Sequence, residues 1–401
     1  MKMSLLSTTF TGITLVNPFL LSSAPPTSNR AMISRAFDAG WGGAVIKSLS
    51  QVENPPQSNV RPRIEAVKHN GKIIGFVDIE LGTMRSLDDW LHDIHALKKD
   101  YPDRALVASM LYGGAPVEAQ WREAAASCTE AGADALELNF SCPHGGSESG
   151  GVGSIAQSPE AIRRIIGWVR AASKAPIWVK MPAMPGLPEA VKVCLAAGAS
   201  AISLINSVHA VPGIDIDTFT PLPSVGGKGS TSGLGGPAIK PIALHAVLQT
   251  AQASPGVPIT GIGGVSDWHD AVEFFLAGAG LVQLCSEVML HGYGVIDGLC
   301  RGLGDYLQKR GFASVDEIRG LALPNLALHN DLRREPRMVA VNDPLKCRRC
   351  GMCFTACKDA GYQAINGSRG EASRVDALLC DGCGLCVQIC PAGSLSLREV
   401  V

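Results

Sequence analysis

"PIWVKMPAMPGLPEAVKVCLAAGASAISLINS" (residues 176–207) holds one whole structural unit. The run "PIWVKMP" reads as a short buried strand, and Pro and Gly break the chain after it. "LPEAVKVCLAAG" then carries its apolar residues at helical spacing, and "AISLINS" is a second apolar run. The same alternation recurs from about Thr8 to about Leu323. Further strand candidates are "GAVIKS", "KIIGFVD", "RALVASM", "ALELNFS", "PITGIGG" and "LVQLCS", separated by amphipathic runs such as "SPEAIRRIIGWVRAAS" and "DWHDAVEFFLAG". Alternating β and α units predict a parallel sheet. About eight of them in roughly 300 residues favour a closed (β/α)8 TIM barrel over an open doubly wound sheet.

In such barrels the active site forms at the C-terminal ends of the strands, and polar groups recur there in this chain. Lys47, Asn139 with Ser141 and Cys142, Lys180, Asn206 with Ser207, and Gly263 with Gly264 all close strand candidates. Five strand ends with hydrogen-bonding groups point to one site. "GIGGV" (residues 261–265) and "LCSE" (residues 284–287) sit where late barrel loops cradle a phosphate with backbone N–H groups, although ordinary tight turns would look the same. "GVGSIA" (residues 151–156) satisfies a dinucleotide fingerprint but follows a glycine-rich loop, not a strand, so no NAD(P) site is expected in this chain.

Thirteen cysteines fall into two populations. Five are scattered: Cys128, Cys142, Cys194, Cys285 and Cys300. Eight crowd into "CRRCGMCFTAC" (Cys347, Cys350, Cys353, Cys357) and "CDGCGLCVQICP" (Cys380, Cys383, Cys386, Cys390). Each run is C-x2-C-x2-C-x3-C, the bacterial ferredoxin pattern for [4Fe–4S] clusters. Three thiolates on one tight turn cap three irons of a cube, and the fourth corner must be met from the other run. Hence Cys347, Cys350, Cys353 and Cys390 are expected to hold one cluster, and Cys380, Cys383, Cys386 and Cys357 the other. A disulfide scaffold would want a small secreted domain, and zinc knuckles would show thiols in pairs. The organisation expected is a barrel over 1–325, a linker over 326–337 and a two-cluster ferredoxin domain over 338–401.

A net charge of −1 excludes a phosphate-tracking nucleic-acid binder, which needs a basic excess. The opening "MKMSLLSTTFTGITLVNPFLLSSAP" is too interrupted by Ser and Thr for a secretory signal and reads as paired strands. No stretch has the roughly 18 apolar residues of a spanning helix, so a soluble, cytoplasmic protein without membrane partner is expected.

The barrel motifs "NPFLLSSAP", "FDAGWGGAVIKS", "GADALELNFSCPHG", "KPIALHAV" and "ITGIGGVSDWHDAVEFFLAGA" resemble the flavin domain shared by dihydroorotate and dihydropyrimidine dehydrogenases. Barrel plus tail looks like the pyrimidine-reducing FMN and iron–sulfur subunit of the NAD-dependent dihydropyrimidine dehydrogenases. The resemblance implies FMN in the barrel, two [4Fe–4S] clusters in the tail, and reversible reduction of the C5=C6 bond of uracil or thymine. Electrons would arrive from a separate NAD(P)H-oxidising flavoprotein subunit in a hetero-oligomer. It also implies residue roles: Ser23 and Ala24 by the ring, Lys47 and Lys180 contacting flavin, and Asn139 and Ser141 facing the site. Asn206 and Ser207 would hold substrate or flavin, and Gly263, Gly264, Cys285 and Ser286 the phosphate. "STSGLGG", ending at Gly236, would be another cofactor-side loop. Cys142 stands at the family's proton donor, and a thiol with a reference pKa of about 8.5 keeps its proton at neutral pH until a carbon takes it. The Gly/Ser run after it, to about Ser154, reads as a closing lid.

Two departures bear on the ring substrate. The loop "SMLYGGAPVEAQW" lacks the family's substrate-contacting Asn, and Asp78 in "GFVDIELG" replaces an amide. The alternatives are a dihydroorotate dehydrogenase-like or other cyclic-amide oxidoreductase, an electron-transfer module whose barrel has lost its chemistry, and a Schiff-base aldolase using Lys180. A carboxylate substrate would want an added cation, for which His144 in the lid is the nearest choice.

Overall fold

Eight short parallel strands close on themselves in the computed structural model, which describes residues 5–50, 59–80, 82–112, 118–142, 152–360 and 362–400. They are β1 (Phe19–Leu21), β2 (Gly43–Val45), β3 (Ala105–Leu111), β4 (Ala135–Asn139), β5 (Ile177–Met181), β6 (Ala201–Leu204), β7 (Ile259–Ile262) and β8 (Leu281–Leu284). Each pairs with the next, and β8 returns to β1 through Val282 opposite Phe19. The helices α1 (Arg30–Asp38), α2 (Leu87–Asp100), α3 (Glu118–Glu130), α4 (Pro159–Ala172), α5 (Leu187–Ala196), α6 (Lys240–Ala253) and α7 (Trp268–Leu276) follow β1 to β7 in turn. After β8 come α8 (Ser286–His291) and α9 (Val295–Arg310). Every residue of β3, β4 and β5 is buried, because one face meets the barrel interior and the other the helices. That explains why these strands read as apolar runs rather than alternating ones.

One strand assignment differs from the sequence reading. "KIIGFVD" forms Lys72–Asp78 of an antiparallel four-stranded sheet beside the barrel, with Ile64–His69, Ser232–Gly235 and Val208–Ala210. Its place in the barrel is taken by Phe19–Leu21, three residues that are wholly buried. A three-residue strand is too short to show a period. The half-exposed alternation of Lys72–Asp78, by contrast, marks a sheet with one wet face.

The N-terminal hairpin, Thr8–Phe10 with Ile13–Leu15, plugs the bottom of the barrel. Phe10 meets Trp178 of β5 edge-on with ring centroids 5.2 Å apart, and the Trp178 indole N–H donates to Thr11 Oγ1 at 3.0 Å. The C-terminal end is the one left accessible.

A second compact unit spans Leu326–Val401. Arg337–Asn342 pairs antiparallel with Leu395–Val400, and two short helices, Met352–Asp359 and Leu385–Gln388, complete it. Its core is small: Val339, Ala340, Ala364, Ile365 and Leu395, together with Cys353, Cys380 and Cys386. No helix among the described residues is long and apolar enough to cross a membrane.

Candidate active site

The C-terminal ends of the strands and the side sheet enclose a cleft of about 1120 Å³ counting its open mouth. It brings together thirteen residues singled out in the sequence: Ser23, Ala24, Lys47, Asn139, Cys142, Lys180, Asn206, Ser207, Gly236, Gly263, Gly264, Cys285 and Ser286. Ser141 is buried just behind the wall. The segment after Cys142 that reads as a lid, including His144, and the middle of the loop "SMLYGGAPVEAQW" lie outside the described residues. Val152–Gln157, which covers most of the rejected fingerprint, is a 3-10 turn leading to α4.

β4 ends at Asn139, and the groups beyond it form a connected polar floor. Ser141 Oγ donates to Asn139 Oδ1 at 2.9 Å, and Asn206 Nδ2 donates to Ser141 Oγ at 3.0 Å and to its carbonyl at 3.1 Å. Asn139 Nδ2 reaches Ser48 Oγ at 3.4 Å, and Ser48 joins Ser109 at 2.8 Å and Ser23 at 3.0 Å. These bonds lock the two amides, and the half-buried Cys142 lines the cleft along with them. Pre-set amides that present both donors and acceptors suit a flat ring edged with N–H and C=O.

Two cations reach this space in different states. Lys47 is paired, its Nζ 2.8 Å from Glu80 Oε1, with Arg63 on the other carboxylate oxygen at 2.5 Å. Burial alone would raise the Glu80 carboxyl, but the Lys47 ammonium and then Arg63 outweigh it and hold it below its usual 4.5. A lowered folded value means stabilisation that is complete above the ordinary carboxylate range and is lost as pH falls through the lowered value. Glu80→Gln is therefore expected to cost about 2–3 kcal/mol at neutral pH. The difference from the parent closes in acid below 4.5, which thermal melts across pH would show. A gap unchanged down to strong acid would refute the pairing as the cause.

Lys180 is 3% exposed and, among the described residues, pairs with no carboxylate and donates a side-chain hydrogen bond only to Ser22 Oγ, at 3.4 Å. A buried ammonium so poorly matched asks for an acceptor from whatever fills the cleft. Gln283, which also lines the cleft, has no partner for its Oε1 among the described residues. Both fit a group rich in polar ring and chain atoms, as a flavin is. Cys285 is kept a neutral thiol, because burial pushes it up to about 12. Gly264 has φ +79°, and a Cβ there would lie 2.8 Å from Lys240 N, so only glycine fits this turn, which lines the cleft along with Cys285 and Ser286.

In the second unit the two cysteine runs interleave. Cys347, Cys350, Cys353 and Cys390 line one cavity, and Cys357, Cys380, Cys383 and Cys386 another, each of about 400 Å³. Among the described residues no group of three or more His, Cys, Asp or Glu side chains is placed to hold a single metal ion. Backbone N–H groups already point at sulfur: Arg349 to Cys347, Ala340 to Cys380 and Ser394 to Cys390, all at 3.4 Å. Such bonds stabilise the thiolate form and tune a cluster. The donor set fits two cubes of iron and sulfide.

Residues 5–307 match the Dihydroorotate dehydrogenase family, and residues 340–397 match a 4Fe-4S dicluster domain. The chain belongs to the dihydroorotate dehydrogenase family. Among its relatives is the NAD-dependent dihydropyrimidine dehydrogenase subunit PreA of Escherichia coli K12, 38% identical over 98% of this chain and 96% of that one. The chloroplastic NADP(+) dihydropyrimidine dehydrogenase of Arabidopsis thaliana is 37% identical over 82% of this chain and 79% of its own length. The catalytic subunit of dihydroorotate dehydrogenase B from Methanothermobacter thermautotrophicus is 35% identical over 79% of this chain and 98% of its own. This member of the family is an oxidoreductase with a flavin-type barrel and an iron–sulfur tail, which sets aside the aldolase reading of Lys180.

Among the polar cleft residues that escaped the sequence reading are Ser22, Ser48, Glu80 and Gln283. Glu80 follows Asp78 by two, so strand periodicity puts both on one face. Gln283 had a plainer signal, a polar side chain inside the apolar run "LVQLC".

Proposed function

We propose that the protein reduces the C5=C6 bond of a pyrimidine, uracil or thymine, reversibly, in a cleft that holds FMN. The carrying observation is that Cys142 lines the same cleft as the Asn139 and Asn206 amides, which are locked through Ser141, and the buried Lys180. When bound, FMN supplies a hydride to one carbon of the double bond. Cys142 gives its S–H proton to the other carbon and regains one from water. Asn139, Asn206 and Ser207 offer the donors and acceptors that match the ring's alternating edge, and Lys180 balances negative charge on the cofactor side. Gly263, Gly264, Cys285 and Ser286 would hold the phosphate, Ser23, Ala24 and Lys47 the ring, and Gly236 the facing loop.

The eight tail thiols would hold two [4Fe–4S] clusters, which would supply electrons one at a time from an NAD(P)H-oxidising partner subunit in a hetero-oligomer. Support comes from the two four-thiol cavities and from the word subunit in the PreA name. Eight cluster thiols suit a reducing compartment such as the cytoplasm. Residues 1–325 serve as the flavin domain and 338–401 as the cluster domain, joined through 326–337.

Uracil and, separately, orotate added anaerobically to the reduced protein decide the substrate. Uracil should bleach the reduced state and restore the visible flavin band quickly. Reoxidation by orotate alone would move the protein to the dihydroorotate side of its family. The observed charges favour uracil, since Lys47 is already claimed by Glu80 and Lys180 lies deep.

A further inference from the structure

Below the cleft floor, inside the barrel, lies a buried polar group with no place in the scheme above. Glu137 of β4 is fully buried. Its Oε2 takes two donors, Ser203 Oγ at 2.8 Å and Gln283 Nε2 at 3.1 Å. Gln283 Nε2 also donates to Thr260 Oγ1 at 2.9 Å. That oxygen is the acceptor in both contacts, and the N–H side of the Gln283 amide is the one turned toward Glu137. The Thr260 hydroxyl can donate or accept, so Glu137 alone sets the sense of the amide. Gln283 is 1% exposed and lines the cleft, and among the described residues its Oε1 has no partner. Whatever occupies that level must bring an N–H or O–H, because an unmet buried acceptor is costly.

Gln283 precedes Cys285 by two positions on β8, which puts it about 7 Å down the strand from the Cys285–Ser286 end. Resting on the reading of the cleft as an FMN site with its phosphate at that end, this is the level of the sugar-alcohol chain between phosphate and ring. We propose that Gln283 Oε1 accepts a hydrogen bond from a ribityl hydroxyl of FMN, and that Glu137 is the positioning residue that aims it. Glu137 touches neither cofactor nor substrate; its acceptor oxygen forbids the flipped amide. The pair selects a flavin with a hydroxylated chain.

The full chain, with its flavin removed, is titrated with FMN and with a flavin phosphate whose ribityl hydroxyls are replaced by hydrogen; quenching of flavin fluorescence gives each Kd. Gln283→Met should weaken FMN about tenfold and change the deoxygenated analogue by less than about twofold. Glu137→Gln can receive either end of the Gln283 amide, so it should give a smaller loss that again falls on FMN only. Far-ultraviolet dichroism and melting curves on both variants separate misfolding from lost recognition, since a misfolded variant loses both ligands together. Equal losses for the two flavins in a folded variant, or no loss for FMN, overturn the assignment of Gln283. Failure of the parent protein to bind either flavin overturns the FMN reading itself, and this inference with it.

Discussion

Cys142→Ala is expected to slow reoxidation of the reduced flavin by uracil by about two to four orders of magnitude, the range supplied by a positioned general acid. Flavin content and its visible spectrum should stay as in the parent, because the phosphate-side loops and Lys180 do not depend on the thiol. Cys142→Ser separates acidity from shape. Its hydroxyl has the right size but is a far weaker acid, so it should recover little of the rate. Single-turnover mixing under anaerobic conditions reads the step directly, apart from electron supply and product release. A Cys142→Ala protein that consumes uracil at near-parental rate would show that the proton comes from elsewhere and that Cys142 is a packing thiol.

The second large effect concerns the tail. The two cavities place Cys390 with the first cysteine run and Cys357 with the second. Cys390→Ala should therefore damage the cluster of Cys347, Cys350 and Cys353 while the cluster of its own run survives, and Cys357→Ala should do the converse. Each variant is expected to lose up to about half of its iron and to replace the coupled paramagnetic signal of two reduced clusters by that of one. Turnover driven by the NAD(P)H-oxidising partner should fall at least about tenfold. Uracil reduction by chemically pre-reduced flavin should persist, since that chemistry lies within the barrel. Loss of the cluster in the mutated residue's own run would overturn the crossed pairing, and loss of the pre-reduced reaction would mean the tail does more than carry electrons.

Much of the architecture was legible before any coordinates, for reasons of spacing. A C-x2-C-x2-C-x3-C run names its ligand because three thiols at that spacing cannot all face the same way as the fourth. Strand–turn–helix units name a barrel because a buried parallel strand must be apolar on both faces while its helix is apolar on one. The polar residues at strand ends, from Lys47 to Ser286, could be gathered as one site from the chain alone, since barrel geometry sends every strand's C-terminal end to the same place. Of the residues singled out there, only Ser141 stands behind the cleft wall, where it braces Asn139 and Asn206.

What the linear chain determined, then, was every feature set by local period and spacing: the repeated unit, the two cysteine runs of an iron–sulfur domain and the ring of polar strand ends. Tertiary structure alone decided which side chains take each other as partners. Phe19–Leu21 replaces Lys72–Asp78 in the barrel because burial on both faces, which three residues cannot advertise, outweighs a longer but half-wet pattern. Glu80 claims Lys47, and Lys180 is left waiting for the occupant, because a side sheet folds back over the strand ends. Glu137, Ser203, Thr260 and Gln283 come from four strands and meet only when the barrel closes. Hydrogen bonding across a closed ring depends on distances between residues far apart in the chain, and no period along the chain records those.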